Sequence, residues 1–342
     1  MPAVTVLMSV YNGEKYLREA IDSILNQTFR DFEFAIYDDC SNDATEKVIL
    51  SYADSRILYR RNSENKGLTS NLADGVLRSE AKYIVRMDAD DIAFPDRIER
   101  QVEWMEHHLD ITVMGTPVVY FSKKPGDLGI AHQPCDDATI KAKLFIDFTL
   151  MHPSIIIRRE SLVGNGINYN PKYRYSQDHA LYFDCIKKGL KFANMSMPLL
   201  YMRAHNGSIS RHKHSAQQEC SCQARTRFLQ DTGIGAGMTD EEINIYNSFA
   251  SGEFPKTRKG VRLFEQFATK VCHNPATNSY FDIDVLQHVM AEKLINASYH
   301  ASGCKGFKLA AWQGFNTRLC TGIAPVSMMR RIKFLLKILL RR

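Results

Sequence analysis

Three aspartates crowd one short stretch of this chain, Met87-Asp88-Ala89-Asp90-Asp91, directly after the run Lys82-Tyr83-Ile84-Val85-Arg86. The run reads as a strand, so the carboxylates of Asp88, Asp90 and Asp91 emerge together from its end. Like charges this close repel and raise one another's pKa unless a cation discharges them. Such hard oxygen ligands suit Mg²⁺ or Mn²⁺, held by one or two carboxylates together with substrate phosphates. A solvated acidic loop, or the start of a helix ahead of Pro95, would use the same residue types. A second acidic strand end is Ile36-Tyr37-Asp38-Asp39-Cys40-Ser41-Asn42-Asp43. An aspartate there can accept from a base N–H or a ribose hydroxyl, and Tyr11 on the neighbouring strand end offers a ring for stacking. Ser41, Asn42 and Asp43 suit turn and capping work. Finally, Tyr175-Ser176-Gln177-Asp178-His179 precedes a helical pattern at Leu181, Tyr182, Cys185 and Ile186, which lets the Asp178 carboxylate face a cleft from a helix N-terminus.

The elements that must position these groups alternate. Val4 to Val10 is apolar enough for a strand buried on both faces, Asn12-Gly13 makes a turn, and Tyr16, Leu17, Ala20, Ile21, Ile24 and Leu25 fall on a helical stripe. The cycle repeats: a strand over Glu33 to Tyr37, a helix through Val48, Ile49 and Tyr52, a short strand around Ile57 to Tyr59, and a helix through Leu68, Leu72 and Val76. Tyr83 to Met87 is the next strand, and Pro95 opens a helix through Ile98, Val102 and Met105. Strands alternating with helices imply parallel βαβ units whose ligands sit beyond the carboxyl ends of the strands, here Ser9 to Asn12, Asp38 to Asp43 and Asp88 to Asp91. From about residue 214 only helical patterns remain, at 214–231, 239–251, 257–273 and 282–300. The expected division is therefore 1–215 and 216–342, without a low-complexity linker or an internal repeat.

Composition bounds the possibilities. The chain has 342 residues, with 44 Lys and Arg against 38 Asp and Glu. Six of the bases (Arg330, Arg331, Lys333, Lys337, Arg341, Arg342) lie in the last thirteen residues; without them the remainder balances at 38 against 38. A general polyanion-binding surface is thus not supported, and no nucleic-acid partner is expected. The eight cysteines show no paired spacing of a zinc site and read as reduced cytosolic thiols. No secretory signal and no run of roughly 18 apolar residues is visible.

The segments Val6 to Tyr16 with Asn26-Gln27-Thr28, Tyr37 to Asp43, Asn65-Lys66-Gly67-Leu68 and Asp88-Ala89-Asp90-Asp91, in this order, closely resemble the inverting family-2 glycosyltransferases. The likeness spans residues 3 to about 215 and is strongest to bacterial enzymes that extend lipooligosaccharide, O-antigen and capsule chains. It implies the GT-A fold: a Rossmann-like, mixed and mostly parallel α/β sheet flanked by helices, here followed by a helical C-terminal region. Cys40 stands where the family has Gly. By position, the resemblance implies that Ser9, Tyr11 and Asp39 line the base and ribose pocket. Asp88 would lie near the ribose and donor sugar, Asp90 would hold a Mn²⁺ or Mg²⁺ bridging the diphosphate with help from Asp91, and Lys66 and Arg86 would lie near the donor or be surface charges. Inverting transfer is a single displacement needing one general base, and Asp178 matches the aspartate given that role. Gln177 replaces the usual Glu beside it. Met151-His152-Pro153-Ser154, running into Ile155 to Arg159, resembles the family's His-x-Ser strand, which places His152 with Gln177 on the acceptor side. Tyr201 to His212 resembles the segment that closes over the donor. His205 sits where some relatives supply a third metal ligand, and Arg203 or Arg211 could meet phosphate charge.

Met328 to Arg342 forms an amphipathic pattern, with Arg330, Lys333, Lys337 and Arg341 on one face and Met328, Ile332, Leu335, Leu336 and Leu339 opposite. A helix of this kind can lie in an anionic membrane surface or dock on the protein. The whole predicts a metal-dependent transferase of a hexose or N-acetylhexosamine, from a UDP-sugar to a saccharide or lipid-linked saccharide acceptor. It would be cytoplasmic and peripheral on the inner membrane face, with a homo-oligomer left open. A nucleotidyltransferase or other metal-dependent phosphoryl-transfer enzyme, and a non-catalytic nucleotide-sugar-binding scaffold, are the competing readings.

Overall fold

The structure, a computed structural model, describes residues 1–205, 214–301 and 306–317. Its first unit comprises Met1–Asp137 and Thr149–Ser221, and its second Ala138–Phe148 and Cys222–Arg342. The division thus falls slightly after the position expected from sequence and assigns an internal segment to the helical unit.

In the first unit the chain runs through β1 (Val4–Val10), α1 (Leu17–Leu25), β2 (Phe32–Asp38), α2 (Thr45–Leu50), β3 (Ile57–Arg61), α3 (Leu68–Arg78) and β4 (Tyr83–Asp88). β5 (Ile92–Ala93), α4 (Arg97–His107), β6 (Ile111–Gly115), β7 (Val118–Phe121) and β8 (Gly129–Ala131) follow. After α5 (Asp137–Ile146) come β9 (Ile156–Arg158), α6 (Arg159–Val163), α7 (Gln177–Lys187), β10 (Lys191–Asn194) and β11 (Leu200–Arg203). The main sheet has seven strands in the order β10-β6-β9-β4-β1-β2-β3. β1 pairs parallel with both β2 and β4, while β9 runs antiparallel between β4 and β6. The order therefore reverses beside β1: β2 and β3 lie on one side and β4 on the other. Such a reversal opens a crevice at the carboxyl ends of β1 and β4. A second sheet, β5-β11-β7-β8, holds the segment after Asp91 against the strand that ends at Arg203.

The strands are central because their sequences allow burial on both faces. Every residue of β1 except Ser9 is buried, as are Tyr83 to Met87 of β4. α3 approaches β1 closely at Gly75, where a Cβ would lie 2.4 Å from Leu7 Cδ1. Burial of the apolar stripe of α1 (Leu17, Ala20, Ile21, Ile24) contributes about 1.5–3 kcal/mol for each large side chain. Arg97 of α4, fully buried, donates Nη2 to Arg86 O at 2.7 Å and to Pro153 O at 2.8 Å; Gln101 one turn on donates to Ser154 O at 2.8 Å. These bonds tie the 152–154 segment to β4. That segment differs from the expected strand: His152–Ser154 is a turn of 3₁₀ helix, since Pro153 has no N–H for a ladder, and the strand begins only at Ile156.

The second unit adds α8 (His214–Thr232), which begins in the first, then α9 (Asp240–Ala250), α10 (Arg258–His273), α11 (Ile283–Ala301) and α12 (Lys308–Phe315). Its core is aromatic. The Tyr246 and Phe267 rings stack at 4.4 Å, Phe249 and Phe264 lie 4.2 Å apart, and the Tyr246 hydroxyl donates to Phe145 O from α5. Phe145 thus explains why the 138–148 segment belongs here. Thr239 and Glu242 form a reciprocal cap on α9. The basic pattern over 328–342, together with Arg211 and His212, lies outside the described residues. Among the described residues, no helix is long and apolar enough to cross a membrane.

Candidate active site

β4 carries the acidic cluster at its carboxyl end: Asp88 is its last residue, in register with Ser9 of β1, and Asp90 and Asp91 follow before β5 joins the second sheet. Ligand atoms of Asp88, Asp90 and Asp91 lie within 4.8 Å of one another. Asp91 is buried; its Oδ1 accepts the Arg203 N–H at 2.8 Å, and its Oδ2 has no partner. Burial, then the Asp90 and Asp88 charges, push the Asp91 carboxyl well above the ordinary carboxylate range; burial and Asp88 raise Asp90 as well. An orphaned buried oxygen among three mutually repelling carboxylates fits a hard divalent cation, which would discharge all three. His205 Nε2 lies 2.7 Å from Asp90 Oδ2, beside the cluster but outside the three side chains whose ligand atoms lie mutually within 4.8 Å. Its ring also packs 5.0 Å from that of Tyr16.

Arg203 departs from the expectation. Its guanidinium does not stand free for phosphate: Nε donates to Asp90 O at 2.8 Å, Nη2 to Glu19 at 2.9 Å, and its plane lies 4.4 Å from the ring centroids of both Tyr16 and Phe121. With its own N–H on Asp91, Arg203 braces the acidic cluster from behind. Arg86 departs from the surface alternative. It is 1% exposed within β4 and pairs with Asp88; burial works against its charge, and Asp88 more than offsets this. Its Nη1 meets the Asp88 carboxylate and its Nε has no hydrogen-bond partner, so the guanidinium is a buried positive pole beside the carboxylates.

Asp178, the second residue of α7, is buried, with Oδ1 accepting the His179 N–H at 2.9 Å. Burial raises its carboxyl above the usual range, the helix amides and Arg86 opposing and Asp88 adding to the rise. The Asp178 carboxyl thus feels both Arg86 and Asp88, which joins the strand-end cluster and the helix start electrostatically. Gln177 is buried beside it. His152 is also buried, with Nε2 2.8 Å from the Tyr169 hydroxyl; burial first, then Arg86, holds it neutral. The Tyr182 hydroxyl, one turn after Asp178, is buried without a hydrogen-bond partner.

On the other flank, Tyr11 is 52% exposed, as a stacking surface requires. Asp38 is occupied by the fold, accepting from Ser41 N–H at 2.8 Å and from the Tyr59 hydroxyl at 3.0 Å. Asp39 accepts from Asn62 Nδ2 at 2.8 Å, Lys66 N–H at 2.9 Å and Gly67 N–H at 2.8 Å, so it fixes the loop before α3. Lys66 contributes that backbone bond and leaves its side chain exposed; Arg174, beside Gly67, donates to Asn65 Oδ1 at 2.9 Å. Ser9 Oγ accepts from Asn71 Nδ2 at 2.9 Å. Asn62, Asn71, Tyr169 and Arg174 escaped the sequence reading, and Tyr16 entered it only as part of a helical stripe and of the Val6 to Tyr16 segment. Asn71 left one signal, an amide three residues from Leu68 and beside Leu72 on the buried stripe of α3.

Comparison with known proteins agrees with this geometry. The profile of Glycosyl transferase family 2 matches residues 5–164. An uncharacterized glycosyltransferase of Methanocaldococcus jannaschii is 36% identical over 211 residues, 60% of this chain and 72% of that protein. The Bacillus subtilis glycosyltransferase TuaG, provisionally named for teichuronic acid biosynthesis, is 30% identical over 225 residues, covering 64% of this chain and 85% of that one. Among solved structures, S. aureus TarS 1-349 with UDP-GlcNAc superposes with a TM-score of 0.58 at 15% identity, over 86% of this chain and 88% of that chain. The mannosyltransferase PcManGT of Pyrobaculum calidifontis, in complex with GDP-Man and Mn²⁺, gives 0.51 at 14% identity, over 99% and 87%. At these identities the structures speak for the fold, and the sequence relatives speak for the family. The matched profile covers the strands that lead into Asp39 and into the Asp88–Asp91 cluster, and the chain belongs to glycosyl transferase family 2, a glycosyltransferase with the GT-A fold.

Proposed function

We propose that this glycosyltransferase is metal-dependent and inverting. In this reading it moves a hexose or N-acetylhexosamine from a UDP-sugar to a saccharide, lipid-linked acceptor in bacterial surface polysaccharide synthesis. The observation that carries the reading is the orphaned Asp91 Oδ2 within the three-carboxylate group; the buried Asp178 carboxyl, raised mainly by burial and further by the Asp88 charge, accompanies it. Asp90 and Asp91, with His205, would hold a Mn²⁺ or Mg²⁺, which when bound stabilises negative charge on the departing diphosphate. Tyr11, Ser9 and Asp39 take the nucleoside, and Asp88, anchored by Arg86, faces the ribose and sugar. His152 and Gln177 border the acceptor. The acceptor oxygen forms its bond to the anomeric carbon as the bond to the diphosphate breaks on the opposite face, and the hydroxyl proton passes to Asp178. A carboxyl of raised pKa suits that task, because it binds the proton more firmly than an exposed aspartate would.

Support for the donor comes from TarS, solved with UDP-GlcNAc, and for the ion from the mannosyltransferase with Mn²⁺. The name of TuaG supports a polysaccharide role. The basic pattern over 328–342 supports a peripheral place on the cytoplasmic membrane face; a chain ending before Met328 that binds anionic vesicles as fully as the whole would remove that part. The test of the reaction is incubation with UDP-GlcNAc, UDP-galactose or UDP-glucose, saccharide acceptors and Mn²⁺. UDP release with an inverted anomeric centre, abolished by chelation, is expected. Release of pyrophosphate or UMP, or a retained configuration, would refute it.

A further inference from the structure

Ser9 at the end of β1 and Asp39 just past β2 are joined by a chain of hydrogen bonds through Asn71 and Asn62. The Asp39 carboxylate accepts at both oxygens, from Asn62 Nδ2 and Lys66 N–H on one and Gly67 N–H on the other. A carboxylate offers no proton, so the Asn62 group facing it is the NH₂. The second hydrogen of that NH₂ points to Asn71 Oδ1, 2.7 Å away, which orients the Asn71 amide in turn; its own NH₂ then donates to Ser9 Oγ at 2.9 Å. Exchanging oxygen and nitrogen in either amide would set like groups face to face. Asn71 is 2% exposed and Asp39 3%, with Asn62 and Ser9 half-buried; because both amides have their oxygen and nitrogen fixed by these partners, the polarity runs one way, from carboxylate to hydroxyl.

We infer that Asn62 and Asn71 are positioning residues that hold the Ser9 hydroxyl with a lone pair toward α3 and its proton toward the ligand crevice, selecting a donor whose nucleobase presents a carbonyl oxygen there. This rests on the nucleotide-sugar reading of the crevice. Ser9 is half-buried, stands in register with Asp88 on β4 and Tyr37 on β2, and precedes the exposed Tyr11 ring by two residues. A ribose hydroxyl both donates and accepts and is indifferent to the direction of its partner; a base carbonyl only accepts, and a ring amino group in its place would meet the hydroxyl proton with another proton. The two carbonyls of uracil suit this site.

The test titrates UDP, 2-thio-UDP and 4-thio-UDP into the full chain with Mg²⁺, using wild type, Ser9→Ala, Asn71→Asp and the double variant. The carboxylate of Asn71→Asp accepts from Asn62 and also from Ser9, turning the hydroxyl round. Its penalty on UDP affinity is expected to be roughly tenfold larger with Ser9 present than in the Ser9→Ala background. Repulsion from the added charge is common to both backgrounds and cancels. One thio analogue, whose sulfur replaces the oxygen meeting Ser9, should bind wild type several-fold more weakly than UDP, and Ser9→Ala should erase that difference. Equal penalties in the two backgrounds would overturn the relay. So would a wild type that discriminates neither analogue, a result that does not depend on the Asn71 variant folding. UDP that fails to bind wild type would remove the nucleotide reading of the crevice and the relay with it.

Discussion

Replacing Asp178 with asparagine should move catalysis and stability in opposite directions. The side chain keeps its shape, and the amide oxygen can go on accepting from the His179 N–H, which now lies 2.9 Å from Asp178 Oδ1. Only basicity and charge are lost. A general base contributes about 10²–10⁴ in rate, so kcat should fall by that factor, which corresponds to roughly 2.7–5.5 kcal/mol on the barrier. The donor contacts at Asp39 and Asp88–Asp91 are untouched, and donor affinity should change by no more than about threefold. Stability follows from the direction of the pKa shift. The folded chain binds the Asp178 proton more tightly than the unfolded chain, mainly through burial, so the favourable contribution exists at acid pH and is lost as pH rises through the raised value. At neutral pH the buried charge is therefore a net cost, and Asp178→Asn should stabilise by about 1 kcal/mol, or about 2–4 °C in thermal midpoint. The acid limb of the kcat profile, set in wild type by a carboxyl above the ordinary range, should disappear. UDP-release kinetics and thermal scans without ligand measure both. A kcat within tenfold of wild type would refute the base assignment, and a midpoint lowered by several degrees would refute the electrostatic reasoning.

Asp91→Asn should raise the metal-free thermal midpoint, since it removes the most desolvated of three repelling charges, while abolishing the stabilisation that Mn²⁺ with UDP gives wild type; thermal-shift titration reads both. Cys40 sits at φ 66, a left-handed conformation, and its Sγ makes only a 3.6 Å contact to Ser63 O. Cys40→Gly should therefore gain about 0.5–1 kcal/mol in urea unfolding, the relieved strain being partly offset by the freer unfolded chain. Glu242 is buried at the start of α9, and burial alone would raise its carboxyl, but Lys270 Nζ at 2.8 Å and the Thr239 N–H hold it below its ordinary value. A depressed pKa stabilises above the unfolded value and is lost as pH falls through the folded one. Glu242→Gln should therefore cost about 1 kcal/mol at neutral pH and blunt the acid loss of helical structure, as measured by circular dichroism.

The strand ends were legible because burial and chemistry impose different residue types at adjacent positions. Val4 to Val10 and Tyr83 to Met87 are apolar where the sheet is covered on both faces, and aspartates begin where the sheet stops. Four of the five helices described from residue 214 on were legible from their periodicity, with bounds within two residues of those observed, whereas Lys308–Phe315 was not foreseen. The second sheet was not, since β5, β8 and β11 have 2, 3 and 4 residues, too few to show a period. The surroundings of the two arginines were hidden for a related reason. Sequence shows a charge without showing its partner, so Arg86, buried against Asp88, and Arg203, clamped between Glu19 and two rings, look alike. Asn62 and Asn71 belong to a network spanning 62 residues of sequence separation between Asn71 and Ser9, and only the packing of α3 on the sheet reveals it.

The claim on which the account stands is that Asp90 and Asp91 share a divalent ion with the donor diphosphate. Crystals grown with UDP and Mn²⁺ and measured at the manganese absorption edge test it directly. The account predicts one anomalous peak within about 2.0–2.3 Å of carboxylate oxygens from this cluster and of diphosphate oxygens, with the base against Tyr11. A diphosphate bound elsewhere, or bound here with no anomalous peak and the Asp91 carboxylate still turned inward, would contradict it.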